Sequence, residues 1–328
     1  MKEIMKEQLE ALKFGEIQIH KHVAVLPIMN ANGSVMDYWT MKEAMEHNFL
    51  TVTEVTEGGH VPELKVINKG DKPVLLLDGE ELAGAKQNRV LNTTILLKEH
   101  SETIIPVSCT EHGRWFYRSS KFEESGYIMS ANLRSVKNAS VHKNLKACNA
   151  FISDQLAVWD GIADQARANR VDAPTGAMRD TLEAKQEDMD DFLTHFPMIS
   201  GQNGLLVMVN GKVVGMDRVS RTEAFASLHP KLIKSYVMDA LTEKPAKGKA
   251  ASREKADAFL AAILQCKENA FDSVGYGRDY RYEGQKIVGS ALVHNSIVIH
   301  MAFFQITEAE KSGRMSSVNR RRAYRTNP

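Results

Sequence analysis

Residues 50–118 read LTVTEVTEGGHVPELKVINKGDKPVLLLDGEELAGAKQNRVLNTTILLKEHSETIIPVSCTEHGRWFYR, and the reading of this stretch decides the fold. Short β-branched or aliphatic runs (TVTEV, ELKVI, PVLLLD, RVLNTTILL, TIIPVSC) alternate with turn clusters such as EGG, NKGDK and KEHSE. Branched side chains pack well on a pleated surface, whereas Gly, Asn and Asp tolerate turn geometry. The spacing therefore predicts an antiparallel, sandwich-like β-rich lobe. Upstream, EIQIHKHVAVLPI at 16–28 reads as a further strand. Thr40 with Glu43 forms a capping box that opens a short helix to about His47.

The period changes after Val136. Val141, Leu145, Cys148, Ile152, Leu156, Trp159 and Ile162 recur at intervals of three and four, which predicts one face of a long helix. After VDAPTG, the residues Met178, Leu182, Met189, Leu193 and Phe196 repeat that spacing until Pro197 stops it. The pair predicts a helical hairpin at 136–198 between a β-rich lobe at 1–135 and an α+β lobe at 199–306.

In the last lobe Asn210-Gly211 predicts a type I′ hairpin, because both residues tolerate positive φ. A helix is expected from Thr222 to Leu241 with Phe225, Leu228, Leu232 and Tyr236 inward. A second is expected from Ser252 to Cys266, after an exposed KPAKGKAAS linker. KIVGSALV and SIVIHMAFF then flank a His294-Asn295 turn. Strands, then helices, then a mixture argue for an α+β class over a doubly wound one. Residues 307–328, with Arg320, Arg321, Arg322 and Arg325, predict a basic, disordered tail.

Composition narrows the function classes. The 328 residues carry 42 Lys and Arg against 41 Asp and Glu, so no global field exists to hold nucleic acid or an anionic membrane. A charged ligand must be held locally. The opening MKEIMKEQLEALKF lacks the apolar core of a signal peptide, and no later stretch is long enough to span a bilayer. Cys109, Cys148 and Cys266 are odd in number and widely spaced, which fits a reducing cytoplasm, and Cys148 and Cys266 read as small apolar residues inside helices.

Several motifs fail on their chemistry. Gly79 to Lys86 has the glycine spacing of a phosphate loop, but Ala85 stands where the lysine should follow Gly84, and no hydroxyl follows Lys86. Gly275-Tyr276-Gly277 lacks the third glycine of a dinucleotide fingerprint. Cys109 with His112 is half a zinc site. His20, His22, His60, His294 and His300 show no metal-ligand spacing among themselves.

What stands is DGEELAGAKQNRVLNTTILL with IPVSCTEHGRWFYRS, where charged groups arrive as strands turn. The candidate bases are Glu80, Glu81 and Glu111. Lys86, Arg89 and Arg114 would hold phosphate, since a guanidinium fork matches its oxygens. Gln87, Asn92 and His112 would orient sugar or base, and Trp115 offers an aromatic face for stacking. A carboxylate could also position Mg²⁺. Cys109 is a candidate nucleophile if a neighbouring cation lowers its pKa. The plainer reading is an ion-pair ladder on a sheet face, with Trp115 packing an edge and Cys109 in the core.

The GEEL-G-AKQNR-LNT and VSC-E-GRW blocks, with NGKVVGMD and GSALV-HNSIVIHMAFF, resemble the ARG and rhodanese-phosphatase-superfamily-associated protein domain family. That family's association with ADP-ribosylglycohydrolases and phosphatases implies work on ADP-ribose or other NAD-derived nucleotides. On this chain the resemblance falls on Glu80, Glu81, Lys86, Gln87, Arg89, Asn92, Cys109, Glu111, Arg114 and Trp115, and on His112. Two functions are expected from it: a hydrolase of a phosphorylated nucleotide, or a non-catalytic nucleotide sensor or accessory module whose helical hairpin meets a protein partner.

Overall fold

The computed structural model describes residues 2–30, 36–56, 62–246 and 250–307. Helix α1 (Lys2–Glu10) leads into β1 (Lys13–Phe14), β2 (Gln18–His20) and β3 (Val23–Met29). The deciding stretch holds β4 (Trp39–Thr40), α2 (Met41–Glu46), β5 (Leu50–Glu54), β6 (Glu63–Asn68), β7 (Val74–Leu76) and β8 (Glu80–Gly84). It continues through β9 (Arg89–Leu91), β10 (Ile95–Leu97), β11 (Ser101–Cys109) and β12 (Phe122–Ile128). Helices α3 (Ala131–Cys148), α4 (Gln155–Asn169), α5 (Met178–Ala184) and α6 (Gln186–His195) follow. The chain then forms β13 (Gln202–Val209), β14 (Lys212–Val219), α7 (Thr222–Ala240), α8 (Arg253–Leu264), β15 (Lys267–Asp272), β16 (Arg278–Glu283), β17 (Ile287–His294) and β18 (Ile297–Gln305).

The class is α+β, but the β-rich lobe is a closed barrel in the order β11-β6-β5-β12-β8-β9, where a sandwich was expected. Closure follows because β12 pairs with both β5 and β8, and β11 with both β6 and β9, which leaves no free edge. The alternating burial of β5 and β6 turns Val52, Leu64 and Val66 inward, where they meet Leu82, Leu91, Ile105, Val107 and Phe122. A small sheet, β10-β7-β4, lies beside the barrel. Thr40 caps α2 through the expected box with Glu43.

The strand expected at 16–28 is β2 and β3, and it belongs to the other sheet. A nine-stranded sheet runs β1-β3-β13-β14-β18-β17-β16-β15, with β2 on β3, and β3 pairs with β13 across the whole intervening chain. Leu228, Leu232 and Tyr236 of α7 share a core with Leu205, Val207 and Phe304 and with Leu77, Val90 and Leu96 of the barrel side. The opposite face of the sheet buries Met5 and Leu9 of α1 and Phe259 and Ile263 of α8. Each fully buried Leu or Phe in such a core contributes about 1.5–3 kcal/mol.

The expected long helix is broken. α3 ends at Asn149 with φ 53°, and α4 begins afresh with Asp154 accepting from the Ala157 N–H at 3.1 Å. Ile152 lies in the break, and Ile152, Leu156 and Cys148 are exposed, so the inferred apolar face is not continuous and Cys148 is no core residue. Cys266 is buried as expected. The helix expected from Met178 to Phe196 is likewise two, α5 and α6, parted at Lys185.

The Asn210-Gly211 turn has the predicted geometry, with φ of 49° and 64°. The turn before β18 sits one residue later than expected, at Asn295 and Ser296, because His294 already pairs with Ile297. No helix among the described residues is long and apolar enough to cross a membrane. The expected basic tail falls, from residue 308 onward, outside the described residues.

Candidate functional site

The barrel lumen changes character at one end. Alternation along β5 buries Leu50, Val52 and then Glu54. The registers place Arg89 opposite Leu82 on one side and opposite Cys109 on the other. The apolar lumen therefore gives way to Glu54, Arg89 and Cys109.

Arg89 is fully buried. Its Nη1 donates to the Gln87 carbonyl at 3.0 Å and to the Gln87 Oε1 at 3.3 Å. Its Nε and Nη2 have no hydrogen-bond partner among the described residues, and Glu54 Oε1 stands 3.9 Å from Nη2. Burial pushes the guanidinium pKa down, with Cys109 and Glu54 opposing. The same burial pushes the Cys109 thiol up to about 11, against the pull of Arg89, so the thiol is protonated at neutral pH and poorly nucleophilic.

A loop after β11 covers this end. Trp115, Phe116 and Tyr117 are exposed there, with the Trp115 ring 5.9 Å from the Arg89 guanidinium. Lys86 Nζ lies 5.5 Å from Trp115 and 5.0 Å from Tyr117. The loop is fastened by Arg114, whose Nε and Nη2 reach Glu111 Oε2 at 2.9 and 2.7 Å. Nη1 donates to the carbonyls of Ala85 at 2.7 Å and Phe116 at 3.1 Å. Burial works against the charge on Glu111, but Arg114 and a hydrogen bond from Thr175 hold its pKa below the ordinary value. Glu111 and Arg114 thus form a clasp, not a free base and a free phosphate ligand.

The remaining predicted residues lie elsewhere. Glu81 is opposite Val90 on the outer face of the barrel wall, where its Oε1 accepts from Thr110 at 2.9 Å. Burial pushes this carboxyl up to about 7, against the hydrogen bonds of Thr110 and Ser125. Glu80 accepts from Lys231 Nζ at 2.5 Å and from the Leu77 N–H at 2.7 Å. Asn92 binds the Phe151 carbonyl and Ser108, a packing role under the loop before α4. The His112 ring packs edge-on against Trp159 and is not joined with Cys109. The structure therefore gathers Lys86, Gln87, Arg89, Cys109, Glu111, Arg114 and Trp115 at the barrel mouth, and leaves Glu80, Glu81, Asn92 and His112 outside it. Gly79 to Lys86 is mostly the strand β8, not a phosphate loop.

Between barrel and sheet runs a buried polar network that the sequence reading missed. Asp217 on β14 accepts from Arg134 at 2.7 and 3.0 Å, from Tyr236 at 2.6 Å and meets His300 Nε2 at 3.1 Å. Burial opposes its charge, but Arg134 and His300 hold the carboxyl at about 2. Arg134 also faces Asp78 at 3.6 Å, and Lys137 binds Asp78 and the Leu91 carbonyl. Gly79, at φ 82°, is required here because an added Cβ would meet the Arg134 side chain at 2.9 Å. Thr93, Asp279 and Arg281 bind one another in a second buried polar cluster. The available signal was α3 itself, whose apolar residues leave room for Arg134, Lys137, Asn138 and His142 on its buried side.

The family model of the ARG and Rhodanese-Phosphatase-superfamily-associated Protein domain matches residues 11–304. No curated protein matches the chain, and no solved structure does. The match spans the barrel, helices α2 to α8 and the nine-stranded sheet together.

Proposed function

Taking as premise that the chain belongs to the ARG and Rhodanese-Phosphatase-superfamily-associated Protein domain family, we propose that its barrel mouth binds a phosphorylated nucleotide of the ADP-ribose type as a sensor or accessory module. The supporting observation is Arg89, a buried guanidinium whose Nε and Nη2 edge has no hydrogen-bond partner among the described residues. Two parallel N–H donors on one edge fit two oxygens of a phosphate. Trp115 supplies an exposed ring above it for a base, and Tyr117, beside Lys86, a second exposed ring. Because Arg89 is fully buried, the ligand reaches it by moving the Trp115 loop aside.

Binding is favoured over turnover because none of the three candidate bases stands free beside Arg89. Glu80 is held by Lys231, Glu111 by Arg114, and Glu81 faces away from Arg89. One observation favours the hydrolase reading: Glu81 titrates near neutrality, as a general base should. It would require a substrate on the outer face of the wall.

A thermal-shift titration with ADP-ribose, NAD, AMP and inorganic phosphate, with and without Mg²⁺, tests both. A ligand present at a hundred times its dissociation constant stabilises by about 2.7 kcal/mol. The expected result is a shift for one nucleotide that disappears in Arg89→Met. A shift retained in Arg89→Met, or none for any nucleotide, overturns the proposal. Product formation lost in Glu81→Gln replaces it with the hydrolase.

A further inference from the structure

Asp191 and His195 are one helical turn apart on α6 and so share a face. His20, on the edge strand β2, is brought against that face from far away in the chain. Its ring stacks on His195 with centroids 3.7 Å apart and an interplanar angle of 14°, and meets Phe192 edge-on at 5.0 Å. Phe192 is buried, so the histidine rings are set on a packed floor. A ring nitrogen of His20, a carboxylate oxygen of Asp191 and a ring nitrogen of His195 all lie within 4.8 Å of one another.

From this convergence we infer a binding site for a divalent transition-metal ion of the zinc class, separate from the barrel mouth and independent of the function proposed for it. Bonds of about 2.0–2.1 Å in a tetrahedron set donor atoms about 3.3 Å apart. His20 Nε2 lies 2.9 Å from Asp191 Oδ2 and His195 Nδ1 lies 3.7 Å from Asp191 Oδ1, one histidine at each carboxylate oxygen, so small side-chain rotations bring a set of donors to that spacing. Two imidazoles and one carboxylate suit Zn²⁺, Co²⁺, Ni²⁺ or Cu²⁺ and not Mg²⁺ or Ca²⁺, which take oxygen ligands. Asp191 and His195 are partly exposed, at 41% and 49% of their side chains, which leaves a side open for water as a further ligand.

Existing contacts compete with the ion. Lys21 Nζ is 2.7 Å from Asp191 Oδ2, and His195 Nδ1 is 2.7 Å from the Asp191 carbonyl. Metal binding turns Asp191 away from Lys21, swings the stacked His20 and His195 rings apart so that their in-plane lone pairs converge on the ion, and places the His195 proton on its other nitrogen. The ion then ties α6 to β2, residues 171 positions apart in the chain, so binding is linked to stability.

The test uses the full chain without a histidine tag, stripped with a chelator and titrated with Co²⁺ while visible absorption is followed. The expected result is one Co²⁺ per chain with the strong absorption of a tetrahedral site, displaced by Zn²⁺ and not by Mg²⁺. His20→Gln and His195→Gln should each weaken binding by more than the roughly tenfold that loss of a supporting group costs. Lys21→Met should tighten it. Lys21 and His195 are exposed and His20 is part-buried, and far-ultraviolet circular dichroism checks that each variant folds. Binding unchanged by both histidine substitutions, or no tetrahedral absorption, overturns the site.

Discussion

Glu81 and Arg89 stand on paired strands yet project to opposite faces of the barrel wall, Glu81 beside Val90 and Arg89 beside Leu82. A phosphate at Arg89 is separated from Glu81 by the wall itself. The two halves of the polar motif therefore do different work: one faces the lumen and its cover, the other faces the packed helices.

Glu81→Gln gives the first prediction. Burial raises this carboxyl to about 7 in the folded chain against 4.5 ordinarily, so the folded state binds the extra proton. The sign follows: between about pH 4.5 and 7 the unfolded chain ionises while the folded chain resists, and stability falls as pH rises. The loss levels off above pH 7 at about 3 kcal/mol. Melting temperatures of Glu81→Gln and wild type should agree at pH 4 and diverge at pH 8, with the variant higher. Equal differences at both pH values would contradict a buried, strained carboxylate.

Arg114→Met should cost about 3–5 kcal/mol, because it leaves the Glu111 carboxylate buried without its opposite charge. It also strips the Ala85 and Phe116 carbonyls of a donor. Urea unfolding measures it. A loss under about 1 kcal/mol would mean that Arg114 is free for a ligand after all.

The cysteines should separate cleanly under a thiol reagent. Cys148 is exposed at the end of α3, Cys109 and Cys266 are buried, and the Cys109 thiol is pushed up to about 11. Intact mass after brief alkylation at neutral pH should show one adduct on the folded chain and three after denaturation. A native adduct on Cys109 would restore it as a candidate nucleophile.

Much of the fold was legible where a local rule acts alone. The Thr40 and Glu43 box and the Asn210-Gly211 turn depend on neighbours in sequence, and both formed as read. The α3–α4 break was missed because apolar residues kept helical spacing across it, although Asp154 was available as a cap signal. Barrel closure and the seat of β3 beside β13 are pairings between distant segments, which periodicity does not specify. At the site, residue type identified the polar segment, but the strand's period of two decided which side each group faces. Asp217, Arg134 and Lys137 stayed hidden because isolated charges in sequence resemble a solvated surface, whereas here they bury against one another.

Trp115 separates binding from structure more sharply than any clasp residue. The residue is 47% exposed and its ring sits over Arg89, so removing it takes little from the core. Surface substitutions of this kind usually stay within about 0.5 kcal/mol in stability. Stacking of a base on an aromatic ring is worth about 1–3 kcal/mol, which corresponds to a loss of roughly five- to 150-fold in affinity. Calorimetry of Trp115→Ala with the nucleotide that shifts the wild type should show that loss at an unchanged melting temperature. Trp115→Phe should recover part of it, since a smaller ring still presents a face. Inorganic phosphate, which has no base, should bind Trp115→Ala and wild type alike if Arg89 holds it. Equal loss for phosphate and nucleotide would instead make Trp115 a cover that organises Arg89, and would remove the base from the binding model.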